Sequence, residues 1–158
     1  MEKTHKKFIK AAVEAALKGM GNNEGGPFGC VIVKDGKIIG SGNNKVTSTN
    51  DPTAHAEVMA IREACKYLNS FQLTGCTLYT SCEPCPMCLG AIYWARPDKV
   101  YYGSTKTDAA NIGFDDAFIY KEINLDYAER SIPFEQCARD IAIEPFDKWK
   151  TLEGKIEY

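Results

Sequence analysis

The sequence predicts an α/β protein, specifically a three-layer α/β/α sandwich around a central mixed sheet of about five strands. Two observations support this prediction. A hairpin signal, Asp35-Gly36, joins two β-like runs near the start of the chain. After the hairpin, helical and β-like patterns alternate, which is typical of helices covering both faces of a sheet.

The first elements follow from apolar spacing and turn residues. Thr4 to Gly19 is predicted to be a helix, because Phe8 and a series of alanines recur at helical spacing and Gly19 suits a C-cap. Strands are predicted over 30–33 and 37–42, on either side of the hairpin turn. Pro86 suits the first turn of a later helix that ends before Pro97. The other predicted elements are helix 54–68, strand 77–80, helix 86–94, strand 99–102, helix 116–123, strand 134–138 and helix 145–149.

Length and composition favour a single domain over residues 1–158. The chain is long enough to bury a core, with 44% hydrophobic and 25% charged residues. Its net charge of −2 and pI near 5.7 argue against the basic face of a nucleic-acid-binding domain. No apolar stretch is long enough for a membrane span, and no secretory signal is found. Seven cysteines without such a signal favour reduced thiols, a metal and a cytoplasmic location.

Two short segments carry the candidate chemistry. Thr53-Ala54-His55-Ala56-Glu57 supplies an imidazole and a carboxylate, and Pro84-Cys85-Pro86-Met87-Cys88 supplies two thiols. One imidazole and two thiolates suit a tetrahedral zinc with an open fourth position for water. Glu57 is left free to move that water's protons. A structural zinc would close the fourth position with another Cys or His, so the pattern indicates a catalytic metal.

Local structure supports this interpretation. His55 is predicted in the first turn of one helix and both thiols at the start of another, where the helix dipole favours thiolate. Glu57 follows His55 by two positions, a divergence of roughly 200° on a regular helix. We therefore expect Glu57 to reach the open side of the metal rather than to bind it.

The spacing leaves alternatives open. Cys82, Cys85 and Cys88 form two overlapping Cys-x-x-Cys pairs, although the stiff backbone at Pro86 favours the second pair. Cys82 is then expected to be a small apolar residue near the site. A structural zinc with a fourth ligand from Cys82 or His5 remains an alternative, as does a redox pair. The other cysteines are predicted to be packed thiols: Cys30, Cys65, Cys76 and Cys137.

The two segments together resemble the signature of zinc-dependent nucleobase deaminases, His-x-Glu followed by Pro-Cys-x-x-Cys. Similarity to the cytidine deaminase-like superfamily extends over most of the chain, through Gly26-Pro27-Phe28-Gly29, Asn43-Asn44, 51–57 and 80–85. Within that superfamily, the small bacterial guanine deaminases are the most similar, through 88–96, 107–110, 113–120 and the final Glu157-Tyr158.

The resemblance implies a role for each matching residue. His55, Cys85 and Cys88 would hold one Zn²⁺ per subunit, and Glu57 would carry protons between water and a purine ring. The implied reaction is hydrolysis of guanine to xanthine and ammonia. Asp116 would be a second carboxylate near the leaving amine, although a helix N-cap would also explain an acidic residue there.

The resemblance also implies a binding pocket for a small purine base. Asn44 would recognise the base, and Phe28 and Trp94 would form pocket walls, with Ala56 beside them. Tyr158 would reach the base of a neighbouring subunit, in a homodimer that exchanges its C-terminal segment from about residue 140 onwards.

Three other functions compete with guanine deamination. A tRNA adenosine deaminase shares the Pro-Cys-Pro-Met-Cys element but calls for basic residues towards the C-terminus, where 151–158 is not basic. Cytosine or nucleoside deamination is a second enzymatic alternative. A structural-zinc interaction module is the third, and the free carboxylate of Glu57 argues against it.

Overall fold

The computed structural model describes residues 2–114 and 116–158. The chain forms two compact units, Met1–Ala117 and Phe118–Tyr158. The elements of the first unit are α1 (Glu2–Gly21), β1 (Gly29–Lys34), β2 (Lys37–Asn43), α2 (Val46–Thr49), α3 (Ala56–Leu68), β3 (Cys76–Cys82), α4 (Pro86–Ala95), β4 (Lys99–Ser104) and α5 (Lys106–Ala110). They are followed by α6 (Ala117–Ile123), a 3₁₀ turn (Tyr127–Glu129), α7 (Arg139–Ala142) and α8 (Glu144–Thr151).

The strands form one mixed sheet in the order β2-β1-β3-β4. β1 pairs antiparallel with β2 and with β3, whereas β3 and β4 are parallel. The β1–β2 hairpin turns at Asp35 and Gly36, which both have positive φ (48° and 75°), as a primed hairpin turn requires. The α/β class and the mixed sheet are confirmed, with four strands in the described residues where about five were expected.

Helices cover both faces of the sheet. On one face, Phe8 of α1 packs with Val31, Val33 and Tyr79. The alternate side chains of β1 point to the other face, where Ile32 packs with the small side chains of α3. The alternation of strand side chains therefore produces the three-layer arrangement.

Two glycines of β2 bring the backbone of α3 close to the sheet. A Cβ at Gly40 would lie 2.6 Å from the carbonyl oxygen of Ala60, and one at Gly42 would lie 2.6 Å from the Ala60 nitrogen. Larger residues would therefore force the helix away. This close packing fixes the start of α3 relative to the end of β2, where Asn44 follows.

The predicted strand over 134–138 is wrong. This segment has no ladder partner among the described strands, which all lie in the first unit, and it leads into α7. Ala138 takes a left-handed conformation with φ of 47°, which ends any extended run. The residue types of five consecutive positions could not reveal that a partner strand was missing.

The second unit differs from the first in burial. Every residue of 118–158 is at least partly exposed. Among the described residues, no helix has both the length and the apolar character needed to span a membrane.

Candidate metal centre

Three side chains from two helix starts meet at one point. Nδ1 of His55 lies 3.5 Å from Sγ of Cys85 and 3.5 Å from Sγ of Cys88. All three atoms lie within 4.8 Å of one another. A tetrahedral zinc with bonds of about 2.1 Å to nitrogen and 2.3 Å to sulfur would place nitrogen and sulfur about 3.6 Å apart. The spacing and the donor set therefore both fit zinc.

The chain places these ligands through two helix N-termini. His55 is the N-cap of α3, with extended backbone angles (φ −74°, ψ 155°), so it precedes the first turn in which it was expected. Cys85 is the N-cap of α4, Pro86 is the first residue of that helix, and Cys88 follows one turn later. The positive ends of both helix dipoles thus point towards the ligands, which favours negatively charged sulfur.

Hydrogen bonding shifts the pKa values of the Cys85 and Cys88 thiols in opposite directions. The pKa of Cys85 falls to about 4, chiefly because the Cys88 thiol donates a hydrogen bond to it, with His55 contributing next. The pKa of Cys88 rises for the same reason and through burial. The pKa of His55 rises, mainly through its hydrogen bond with Cys85, while burial opposes the rise. These contacts favour the thiolate form of Cys85, the form that binds metals.

Glu57 lies next to the ligands, although it follows His55 by only two positions. The extended backbone of His55 removes the helical divergence that the sequence predicted. The carboxylate is buried, with 6% of the residue exposed. The Thr80 hydroxyl donates to Glu57 Oε1 at 3.1 Å. The Glu57 carboxylate also forms a hydrogen bond with the Cys88 thiol. Burial raises the pKa of Glu57, as suits a group that accepts and returns a proton.

Cys82 stands beside the site without joining the ligand set. Its thiol donates to the carbonyl oxygen of Thr105 at 3.5 Å, and burial raises its pKa to about 11. A neutral packed thiol agrees with the expected role. His5 bonds to the Tyr79 hydroxyl at 2.9 Å, among residues of the opposite face of the sheet. Neither residue supplies a fourth ligand, so the arrangement does not support a structural zinc.

Asn44 and Phe28 come together at the end of β2. Asn44 is 6% exposed, and its backbone N–H donates to the Phe28 carbonyl at 3.0 Å. The Val46 N–H donates to Asn44 Oδ1 at 3.1 Å, which leaves the amide Nδ2 as the group able to donate to a ligand. Phe28 meets Phe114 edge to face, with ring centroids 4.9 Å apart.

The other predicted site residues differ in their burial and in their distance along the chain from the metal ligands. Asp116 immediately precedes α6, and its charge raises the pKa of both His55 and Cys82, so it lies near the metal ligands. Ala56 is fully buried at the start of α3. Trp94 is 64% exposed, and Tyr158 is 70% exposed and belongs to the second unit. Asp115, the other acidic residue that could cap α6, lies outside the described residues.

Sequence reasoning missed two residues of this region. Thr80 holds the Glu57 carboxylate, and Phe114 packs against Phe28. Both stand in segments that carry the family resemblance, but neither side chain has a chemistry that singles it out. Only the register that places Thr80 opposite Cys30 in the sheet and the fold of the segment around Phe114 reveal their roles.

The comparisons with known proteins agree with this geometry. Residues 2–104 match the family model of the cytidine and deoxycytidylate deaminase zinc-binding region. The chain therefore belongs to this family of zinc-binding deaminases.

Among curated relatives, the guanine deaminase of Bacillus subtilis (strain 168) is 59% identical over 154 residues, covering 98% of this chain and 99% of the relative. A tRNA-specific adenosine deaminase of Aquifex aeolicus is 44% identical over 97 residues, covering 61% of this chain and 64% of that protein. The X-ray structure of the Bacillus subtilis guanine deaminase matches with a TM-score of 0.95, at 59% identity and 98% coverage of both chains. A guanine deaminase structure from Nitrosomonas europaea matches with a TM-score of 0.66 at 29% identity, covering 69% of this chain and 63% of that one.

Proposed function

We propose that this protein catalyses the zinc-dependent hydrolysis of guanine to xanthine and ammonia. The observation that carries the proposal is the meeting of His55, Cys85 and Cys88 with a buried carboxylate, Glu57, in a deaminase fold. The substrate is inferred from the guanine deaminase that matches the chain over 98% of its length at 59% identity. Removal of the guanine amine would give the protein a role in purine metabolism.

His55, Cys85 and Cys88 would hold the zinc. When bound, zinc lowers the pKa of a coordinated water to about 7 and so supplies a nucleophile at neutral pH. Glu57 would take one proton from the water and deliver it to the purine ring, and then take a second proton from the newly added hydroxyl group and deliver it to the leaving amine, which departs as ammonia. Thr80 keeps that carboxylate in place through its hydrogen bond to Oε1.

The base would bind beside this centre. Asn44 offers its Nδ2 to a ring acceptor, because its Oδ1 is already occupied by the Val46 N–H. Phe28, Ala56 and Trp94 would supply apolar contact. Asp116 would accept a hydrogen bond from the 2-amino group or relay a proton to it, a role consistent with its electrostatic influence on His55.

We further propose that two copies form a homodimer by exchanging their C-terminal segments. The support is the exposure of large apolar side chains throughout 118–158, a unit in which no residue is buried. Apolar surface on that scale favours association with another chain. These side chains are Phe118, Ile123, Leu125, Tyr127, Ile132, Phe134, Ile141, Phe146, Trp149, Leu152, Ile156 and Tyr158. Tyr158 would then cover the site of the partner.

The reaction is tested by release of ammonia from the purified zinc-loaded protein. The substrate panel contains guanine, adenine, cytosine, cytidine and a tRNA anticodon stem-loop. We expect guanine to be turned over with a kcat/KM at least a hundredfold above that of the other substrates. Deamination of the stem-loop in preference to guanine would establish the tRNA alternative instead, and turnover of cytosine or cytidine would establish the pyrimidine alternative.

The tRNA alternative has its own support, because tRNA-specific adenosine deaminases match the chain at 44% identity over 97 residues. That similarity covers only 61% of this chain. Over residues 151–158 the sequence has one lysine and two glutamates, which would repel rather than bind phosphate. Guanine therefore remains the better proposal.

The exchange of C-terminal segments is tested by mixing two impaired variants. One chain carries Glu57→Gln and the other carries Tyr158→Ala. If Tyr158 acts on the partner, a mixed dimer has one complete site, with Glu57 from one chain and Tyr158 from the other. Activity of the unfolded and co-refolded mixture should approach one quarter of the wild-type value. A mixture no more active than its parents, while dimeric by light scattering, would show that Tyr158 does not act across subunits.

A further inference from the structure

We propose that Glu24 and Asn43 form a clamp that positions Asn44 for recognition of the base. The inference rests on the proposed function, because it assigns Asn44 to the substrate. Neither Glu24 nor Asn43 has a part in the chemistry described above. They are positioning residues, which act on the substrate only through Asn44.

The clamp is a pair of hydrogen bonds from one amide. Asn43 Nδ2 donates to Glu24 Oε2 at 2.7 Å and to the carbonyl oxygen of Asn44 at 3.1 Å. Gly19, near the end of α1, makes room for this amide, since a Cβ there would overlap Asn43 Nδ2. The Asn43 side chain thus ties the turn after α1 to the backbone of Asn44.

The same glutamate holds the residues that follow Asn44. The Glu24 carbonyl oxygen accepts from the Ser48 N–H and from the Thr47 hydroxyl, each at 3.1 Å. Its carboxylate lies 3.7 Å from Lys45 Nζ. Glu24 therefore contacts the chain on both sides of Asn44 and fixes the path of the turn that leads into α2.

Asn44 itself is held from several directions. Its N–H donates to Phe28, its carbonyl accepts from Asn43, and its Oδ1 accepts from the Val46 N–H. The backbone of Gly25 lies against the remaining side of Asn44, where a Cβ would overlap Asn44 Oδ1. With these contacts made, the side-chain rotamer is set and Nδ2 is the donor presented to a ligand.

Ionisation strengthens the clamp. The pKa of Glu24 lies below its ordinary value, chiefly because Asn43 donates to the carboxylate, with Lys45 contributing less. A hydrogen bond to an ionised acceptor is about twice as strong as one between neutral groups. Glu24, Asn43 and Lys45 are among the residues that line an open pocket of about 490 Å³, so truncation there widens a pocket that faces solvent.

This geometry predicts an effect on substrate binding rather than on the chemical step. If Asn44 holds the base through a contact that is equal in the ground state and the transition state, loosening it removes uniform binding. A variant of that kind raises KM and leaves kcat nearly unchanged. A loss of general stability would not separate the two constants in this way.

The test compares Glu24→Ala, Asn43→Ala and their double variant with the wild-type enzyme. We expect KM for guanine to rise about three- to tenfold in each single variant, the range for loss of one hydrogen bond, with kcat within about twofold. Because both single variants break the same Asn43–Glu24 hydrogen bond, the double variant should be no worse than the more impaired single variant. Glu24→Gln keeps an acceptor for Asn43 and should restore most of the affinity.

Glu14→Gln is the matched control, since Glu14 is an exposed glutamate that pairs with Lys10 on α1 and borders the same cavity. Its KM should equal that of the wild type. Hydrogen exchange of the Val46 amide gives a second readout that needs no substrate. The exchange rate should rise at least threefold in Glu24→Ala and stay unchanged in Glu14→Gln, with zinc content unaltered in both variants.

The outcomes separate this inference from the proposed function. If wild type deaminates another base, the constants are measured on that base and the same pattern is expected. Unchanged KM and unchanged Val46 exchange in Glu24→Ala and Asn43→Ala would overturn the clamp, whatever the substrate. A fall in kcat at constant KM would also overturn it, because positioning would then concern the chemical step.

Discussion

The first unit, Met1–Ala117, packs apolar side chains against both faces of its sheet, whereas no residue of Phe118–Tyr158 is buried. The difference is chemical as well as structural. The first unit contains the candidate metal ligands, the buried Glu57 and Asn44, which is proposed to recognise the base. The second contributes one expected site residue, Tyr158. The difference indicates that the candidate chemistry belongs to the first unit. The exchange proposed above would give the exposed apolar side chains of the second unit a partner.

The largest expected effect tests whether Glu57, in the first unit, carries the proton transfer. Glu57→Gln keeps the shape and the hydrogen bond from Thr80 but removes the proton acceptor. We expect kcat to fall about a thousandfold, within the range that general acid–base catalysis supplies. Zinc content, measured by atomic emission, should stay at one per subunit. Glu14→Gln is the control at an exposed site.

Near-normal turnover by Glu57→Gln would place the proton transfer on another group and end the proposed mechanism. The same variant separates an enzyme from a structural-zinc module. A module would have no guanine turnover before or after the change, at equal zinc content.

The next effect tests the contribution of the second unit. Deletion of Glu157 and Tyr158 should lower kcat/KM for guanine about tenfold or more, because the base loses a contact and water enters the site. Zinc content and thermal unfolding should be unchanged. Tyr158→Phe distinguishes the hydroxyl from the ring, since it retains the apolar cover. Unchanged kinetics after the deletion would remove Tyr158 from the site.

The difference between the two units also explains which parts of the fold and the site could be predicted from the sequence. His55, Glu57, Cys85 and Cys88 have side chains whose chemistry is specific, so their types and spacing alone predict a metal site. The strands and the three long helices of the first unit are equally predictable, because a two-faced core imposes regular apolar periods. The short helices α2 and α5 were not predicted. The strand predicted over 134–138 is wrong because this segment has no partner strand among the described residues.

Other features could not be predicted because they depend on distant contacts. Thr80 is an ordinary strand residue until the sheet brings it against Glu57. The closeness of Glu57 to the ligands depends on His55 being an N-cap, one position outside the helix where the spacing placed it. Asn43 and Glu24 are separated by a strand and a hairpin turn, so nothing local in the sequence connects them.

A smaller effect tests whether Cys82 belongs to the site or to the packing around it. Cys82→Ala removes a thiol that bonds weakly to the Thr105 carbonyl. We expect a loss of about 1 kcal/mol in unfolding free energy from the lost sulfur contacts, with zinc content unchanged. Cys85→Ala is the matched comparison and should abolish zinc binding. Loss of zinc in Cys82→Ala would instead make Cys82 a ligand.

The smallest effect concerns the acid stability of the first unit at the clamp. The folded pKa of Glu24 is depressed, through Asn43 first and also through Lys45 and Asn22. A depressed carboxyl pKa stabilises the folded state above the unfolded value, and this contribution disappears as pH falls through the folded value. Wild type should therefore lose slightly more stability than Glu24→Gln below about pH 4.5, its ordinary value. Urea midpoints at pH 7 and about pH 3.5 measure this difference, with Glu14→Gln as the control. An equal pH dependence of wild type and Glu24→Gln would show that the Asn43 hydrogen bond does not favour the ionised carboxylate in solution.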